Sequence, residues 1–251
     1  MLSSALISEN VRLIEERIQA ACLRVGRPAG EVKLMAVSKT HPAEAIASGF
    51  AAGLRRFGEN RVQEFQQKLL DLNRLGVRVA GIGGLSGDAA AIHLIGHLQS
   101  NKTGRAAEIF SGVDTVDSVK LAERLDDEAK RKGRRLPVLV EVKLSDEEAK
   151  TGLGPESREL AELLERLPDL SGVEMRGLMT VPPFDDNPET ARACFRRLRL
   201  LREELAARYS RLDFGELSMG MSGDFEIAIE EGSTLVRIGT AIFGARPRPG
   251  D

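Results

Sequence analysis

Lys39 directly follows the apolar run LMAVS, which makes it the first residue of this chain whose position offers chemistry. An ammonium at the end of a buried strand loses hydration, which pushes its pKa down and favours the free amine that condenses with a carbonyl carbon. By itself such a lysine is as readily a surface side chain snorkelling from a strand end. Two later segments give it company. SMGMSGD (218–224) and RIGTAIFG (237–244) are both rich in small residues and hydroxyls. Within them Ser218, Ser222, Gly223, Gly239 and Thr240 are the donors that an oxyanion such as phosphate needs. Arg237 stands two residues before Gly239 and so shares its face of an extended segment.

These residues need a scaffold that brings position 39 to positions 218–240. An amphipathic helix is expected over 8–25, with Ser8 or Asn10 as N-cap and Gly26 and Pro28 as its stop. The chain then alternates short apolar runs with longer helical patterns, the signature of parallel βα units. The runs are 34–38, 55–57, 93–95, 113–116, 137–142, 175–179, 214–217 and 235–238, of which the second and seventh are weak. The helical stretches are 42–52, 61–75, 101–110, 118–132, 155–167, 188–209 and 222–231. Pro42, Pro155 and Pro188 fall near helix starts, where a missing N–H costs nothing.

Eight such units predict an α/β fold, a (β/α)8 TIM-type barrel with an extra N-terminal helix, as a single domain over 1–251. A doubly wound open sheet is the alternative. The stretch 76–91, GVRVAGIGGLSGDAAA, has no apolar period and is expected to be a flexible loop.

In a barrel the chemistry gathers at the C-terminal ends of the strands, and phosphate binds after strands seven and eight. The strand-end residues are Lys39, Asn60, Gly96 with His97, Asp117, Lys143, Thr180, Ser218 with Met219, and Gly239 with Thr240. A Schiff-base lysine together with a phosphate cup calls for a ligand that has both an aldehyde and a phosphate, and pyridoxal 5′-phosphate is that molecule. Arg237 would either face its pyridine nitrogen or form an ion pair inside the barrel.

Other signals fail. GIGGLSG would place the third glycine of a dinucleotide fingerprint on Ser86, without the flanking strand and helix. His93 and His97 lie on a strand and just beyond it, where four residues span roughly 13 Å, too far for two ligands of one metal ion. Arg192, Arg196, Arg197, Arg199 and Arg202 alternate with glutamates and predict a solvated helix face. Cys22 and Cys194 are expected to be reduced core thiols.

The 251 residues carry Lys+Arg 36 against Asp+Glu 38, a net charge of −2, with pI about 6.1. That balance argues against nucleic acid and anionic membrane as partners. The early charges exclude a secretory leader, and no run of about 18 apolar residues exists, so a cytoplasmic location is expected.

The motifs MAVSKTHPAEAI, RRFGENRVQE, HLIGHLQSNK, EEAKTGL, RGLMTVPPF and LSMGMSGDFEIAIEEGSTLVRIGTAIFGAR occur in this order and resemble the pyridoxal phosphate homeostasis protein family, in its bacterial form. The resemblance extends from about residue 8 to 246. It implies a barrel like the N-terminal domain of alanine racemase and a cofactor held as an aldimine on Lys39; a monomer is expected. It also implies phosphate contacts from Ser218, Gly239 and Thr240 with Ser222 and Gly223 close by, and a ring lined by Asn60, Met219 and Arg237. An arginine at the pyridine nitrogen keeps that nitrogen unprotonated and weakens the ring as an electron sink.

The family has no established catalytic reaction, and its loss disturbs cofactor, amino-acid and keto-acid balance. The resemblance therefore implies a cofactor-binding homeostasis protein, with delivery of pyridoxal phosphate to apo-enzymes as one way it would serve that role. A PLP-dependent amino-acid racemase is the alternative. It is disfavoured because the only tyrosine, Tyr209, falls at the end of an outer helix, and the racemase takes its second acid/base from a tyrosine in another domain. The stretch 76–91 departs from the family by its length.

Overall fold

The hydroxyl of Ser3 accepts from the Leu6 N–H at 3.3 Å, so α1 (Ser4–Arg24) begins earlier than expected and neither Ser8 nor Asn10 caps it. Both of those residues lie inside the helix. Ile7, Val11, Ile14, Ile18, Ala21 and Cys22 form its buried stripe. The computed structural model describes residues 2–81, 88–145, 147, 151–183, 185 and 187–245.

Among these residues eight parallel strands close into a barrel in chain order. They are β1 (Lys33–Val37), β2 (Arg56–Glu59), β3 (Ala91–Leu94), β4 (Gly112–Val116), β5 (Leu136–Glu141), β6 (Val173–Met179), β7 (Glu216–Ser218) and β8 (Leu235–Ile238). The barrel closes where Lys33 to Ala36 of β1 register with Leu235 to Ile238 of β8. That closure rules out the open sheet.

Around the barrel run α2 (Ala43–Ala51), α3 (Val62–Arg74), α4 (Thr103–Ile109), α5 (Val119–Arg131), α6 (Arg158–Arg166), α7 (Pro188–Arg208) and α8 (Phe225–Glu230), followed by a short α9 (Thr240–Phe243) that the sequence pattern does not announce. Pro155 precedes α6, whose cap is the Ser157 hydroxyl. Alternation along the strands sends Ala36, Phe57, Ile92, Leu94, Val138, Val140, Val236 and Ile238 outward into the apolar layer under the helices.

The inner face is more polar than the branched apolar layers common in such barrels. Glu216 of β7 binds Lys33 of β1 at 2.6 Å and Arg56 of β2 at 3.4 Å, and His93 Nδ1 lies 2.8 Å from Asp114 of β4. These inward charges explain why β2 and β7 are weak as apolar runs.

Parts of 76–91 are built into the fold. Val79 bridges Ala90, Val77 and Val79 are buried, and Ala91 starts β3. Residues 82–87 lie outside the described residues. This segment enters β3 at its N-terminal end, the end of the barrel opposite Lys39.

Cys22 and Cys194 are both buried, and neither is in a disulfide. Arg192 and Arg196 are more than a solvated face. They bind Glu230 at 2.9 Å and Glu231 at 2.8 Å across to α8, while Arg199 pairs along its own helix with Glu203.

Candidate functional site

Lys39 sits in the turn that leaves β1. His41 N–H closes this turn on the Ser38 carbonyl at 3.1 Å, and Thr40 takes a φ of 68°, a conformation that glycine or asparagine normally fills. The backbone is held there from both sides of the lysine. The Ser38 hydroxyl donates to Glu59 Oε1 at 2.7 Å, and the Thr40 N–H donates to Glu64 Oε1 at 2.6 Å. Lys68 of α3 joins the two carboxylates, reaching Glu59 at 2.8 Å, Glu64 at 2.8 Å and the Ser38 carbonyl at 3.0 Å.

Glu59 is fully buried and Lys68 nearly so. Burial works to raise the Glu64 carboxyl, but bonds from Lys68 and Thr40 hold it below its ordinary value. The sequence reading missed this network, because Glu59 and Lys68 each resemble surface residues until β2 and α3 are packed together.

At the C-terminal mouth of the barrel a cavity of about 440 Å³ is lined by Lys39, Asn60, Ser222, Gly223, Arg237, Gly239 and Thr240, together with His97, Thr115, Glu141 and Thr151. Seven of the nine expected cofactor-binding residues therefore line one cavity. Ser218 and Met219 do not line it and are fully buried beneath. The Ser218 hydroxyl accepts from Arg237 Nη1 at 2.6 Å, and the Met219 carbonyl accepts from the Ser233 hydroxyl at 2.8 Å.

The loop after β7 is shaped by Gly220, whose φ of 93° and close approach to Phe225 and Ala228 leave no room for a Cβ. Beyond it Asp224 Oδ1 accepts the Met221 N–H at 2.5 Å, leaving Ser222 and Gly223 at the cavity. Among the described residues no hydrogen bond uses the backbone N–H of Ser222, Gly223, Gly239 or Thr240. All four residues line the cavity, two at the head of α9 and two in the loop after β7, and backbone N–H groups without an internal acceptor are the kind of donor that binds an anion.

Arg237 is buried, donates to Ser218 and, at 2.8 Å, to the Thr180 carbonyl, and makes no salt bridge within 4 Å among the described residues. Burial lowers its pKa, against the fields of Asp114, Asp224 and Glu141. Of the two readings open for Arg237, a direct ion pair is therefore not what the structure contains.

At the fifth strand end the cavity residue is Glu141, the last residue of β5 itself, and not Lys143, which lies two residues beyond it. Thr180 likewise contributes its carbonyl to Arg237 instead of a cavity wall. No group of three potential metal ligands occurs among the described residues, and no helix is long and apolar enough to cross a membrane. Tyr209 lies elsewhere, in a groove of about 420 Å³ outside the barrel between α6 and α7.

The alanine racemase N-terminal domain family matches residues 9–247. Two proteins named pyridoxal phosphate homeostasis protein, from Haemophilus influenzae and Aquifex aeolicus, are each 42% identical. The match covers 96% and 95% of this chain, and 96% and 97% of theirs. The structure of PipY from Synechococcus elongatus PCC7942, solved with PLP bound, superposes with a TM-score of 0.77 at 41% identity. It covers 92% of this chain and 100% of that one. Alanine racemase of Clostridium difficile 630 shares the fold, with a TM-score of 0.67 at 15% identity, over 96% of this chain but 57% of its own. With near-complete matches to the homeostasis proteins, and only a shared barrel with the racemase, the chain belongs to the pyridoxal phosphate homeostasis protein family.

Proposed function

We propose that the cavity holds pyridoxal 5′-phosphate and that the protein serves cofactor homeostasis in the cytoplasm as a monomer, passing the cofactor to apo-enzymes. The observation that carries this reading is that one cavity is lined by Lys39 and by four residues whose backbone N–H groups have no partner among the described residues. The bound cofactor supplies an aldehyde carbon that a primary amine, here that of Lys39, captures as a Schiff base.

Ser222, Gly223, Gly239 and Thr240 would hold the phosphate with their N–H groups and hydroxyls. Asn60 and Arg237 would border the ring. Ser218 acts from beneath by accepting from Arg237, and Met219 packs the floor of the β7 loop. Arg237 would present positive charge to the ring nitrogen, which would oppose its protonation and so the stabilisation of a carbanion. Tyr209, the only tyrosine among the 251 residues, lines a groove outside the barrel and not the cavity that holds Lys39.

Lys39→Ala should lose the imine absorbance band and the borohydride-fixed adduct at residue 39; a persistent band would move the site elsewhere. An amino-acid racemase would exchange the substrate α-proton in deuterated water, and clear exchange would replace the carrier reading. Activation of an apo-enzyme by the loaded protein in the presence of a trap for free cofactor would support direct delivery, and its absence would leave buffering.

A further inference from the structure

Glu141 ends β5 inside the cavity and is 6% exposed. Its Oε1 accepts the Thr151 hydroxyl at 3.0 Å, while its Oε2 is buried and has no hydrogen-bond partner among the described residues. A buried carboxylate oxygen left without a donor costs stability, so an arrangement that keeps one calls for a use.

The segment after β5 is folded back to produce it. Leu153 N–H donates to the Glu141 carbonyl at 2.9 Å, and Val142 bridges Leu153. Gly152, at a φ of 107°, lies so close to Glu141 and the Lys143 N–H that a side chain there would be crowded. This places Thr151 over the carboxyl. The charged and titratable groups facing the site come from four other strand ends: Lys39 after β1, His97 after β3, Asp117 after β4 and Arg237 of β8. Burial raises the Glu141 carboxyl above its ordinary value and Asp117 raises it further, against Thr151, Arg237 and His97.

We infer that Glu141 is the general acid–base of the cavity, shuttling the protons that accompany capture and release of an aldehyde by Lys39. The inference rests on the cofactor reading above. In release, the Glu141 carboxylate takes a proton from the water whose oxygen bonds to the carbon of the protonated imine, while the carbon–nitrogen π pair withdraws to the Lys39 nitrogen. Glu141 then gives that proton to the nitrogen. The carbon–nitrogen bond breaks with its pair going to Lys39, and the carboxylate takes the hydroxyl proton as the carbonyl forms. Lys39 finally receives this last proton, so one water is consumed and Glu141 returns to its starting state. Capture is the same sequence reversed.

A catalyst of both directions changes rates and leaves the equilibrium alone. Glu141→Gln keeps an acceptor for Thr151 and removes the shuttle. Stopped-flow absorbance of pyridoxal phosphate binding, and release into a trap, should each slow by about 100-fold, within the range of general acid–base catalysis. The loaded fraction should stay within about twofold. The wild-type release rate should rise with pH through one ionisation that the variant lacks. Thr151→Val removes a donor to the carboxylate and should move that limb to higher pH.

Unchanged rates in Glu141→Gln, or a faster release matched by a lower loaded fraction, would overturn the role. If Glu141→Gln fails to fold, an unmoved limb in Thr151→Val decides against it. Wild type that yields no borohydride-fixed adduct at Lys39 removes the cofactor reading itself. An adduct that forms with normal Glu141→Gln rates removes only this inference.

Discussion

At the scale of single residues, Lys39 owes its place to neighbours that do not touch the cavity. Glu59, Glu64 and Lys68 fasten the backbone on both sides of it, and Thr40 occupies a φ of 68° between them. Lys68→Met would leave the Glu59 carboxylate buried without its cation, which typically costs about 3–5 kcal/mol. The melting temperature should fall by roughly 10 °C or more, measured by calorimetry. Thr40→Gly would relieve the positive φ and gain about 1 kcal/mol, while loosening the turn and slowing adduct formation at Lys39. Lys39 was legible in the sequence because an apolar run ends on it. The Glu59–Lys68 pair was not, because burial of both partners depends on how α3 lies against β2.

At the scale of elements, the β7–α8 and β8–α9 junctions build the proposed phosphate cup, and α8 is anchored from outside. Glu231 at its end is nearly buried and accepts from Arg192 and Arg196 of α7, and Glu230 binds Arg192 and Arg24 of α1. Burial works to raise the Glu231 carboxyl, and the two arginines overcome it and hold it below its ordinary value. Its contribution is thus present above the ordinary carboxylate range and lost as pH falls through the lowered value. Glu231→Ala should cost about 1–2 kcal/mol at pH 7, discounted for the exposure of both arginines, and the loss should shrink in high salt and at low pH. Denaturant titration at two ionic strengths measures it.

The seven helices expected between strands all occur within a few residues of their limits. The short α9 escaped because four residues carry no period. β5 was overrun by one residue because Val142 continues its apolar pattern, and Glu141 was missed because it is the last residue of the strand itself.

For the whole molecule, a ligand that binds only the folded barrel raises its stability. Pyridoxal phosphate at about 100 times its dissociation constant should add about 2.7 kcal/mol, or roughly 5–10 °C in melting temperature, and Lys39→Ala should forfeit most of it. Glu141 works in the opposite sense. A carboxyl raised by burial favours the fold while protonated, and that advantage is lost as pH rises through the raised value. Glu141→Gln should therefore melt above wild type at pH 8 and level with it at pH 4.

The order of eight βα units, the single lysine after the first strand and the two glycine-rich segments after the last two were all set by local pattern. Hydrophobic period, turn residues and strand-end position are properties of short stretches. Which of those residues reach the cavity was decided only when the barrel closed. Strand register and inward alternation placed Ser218 under Arg237 instead of in the wall. Those same constraints packed charges of opposite sign inside the strands and turned Glu141, the one charged residue of β5, into a buried carboxyl facing Lys39's cavity.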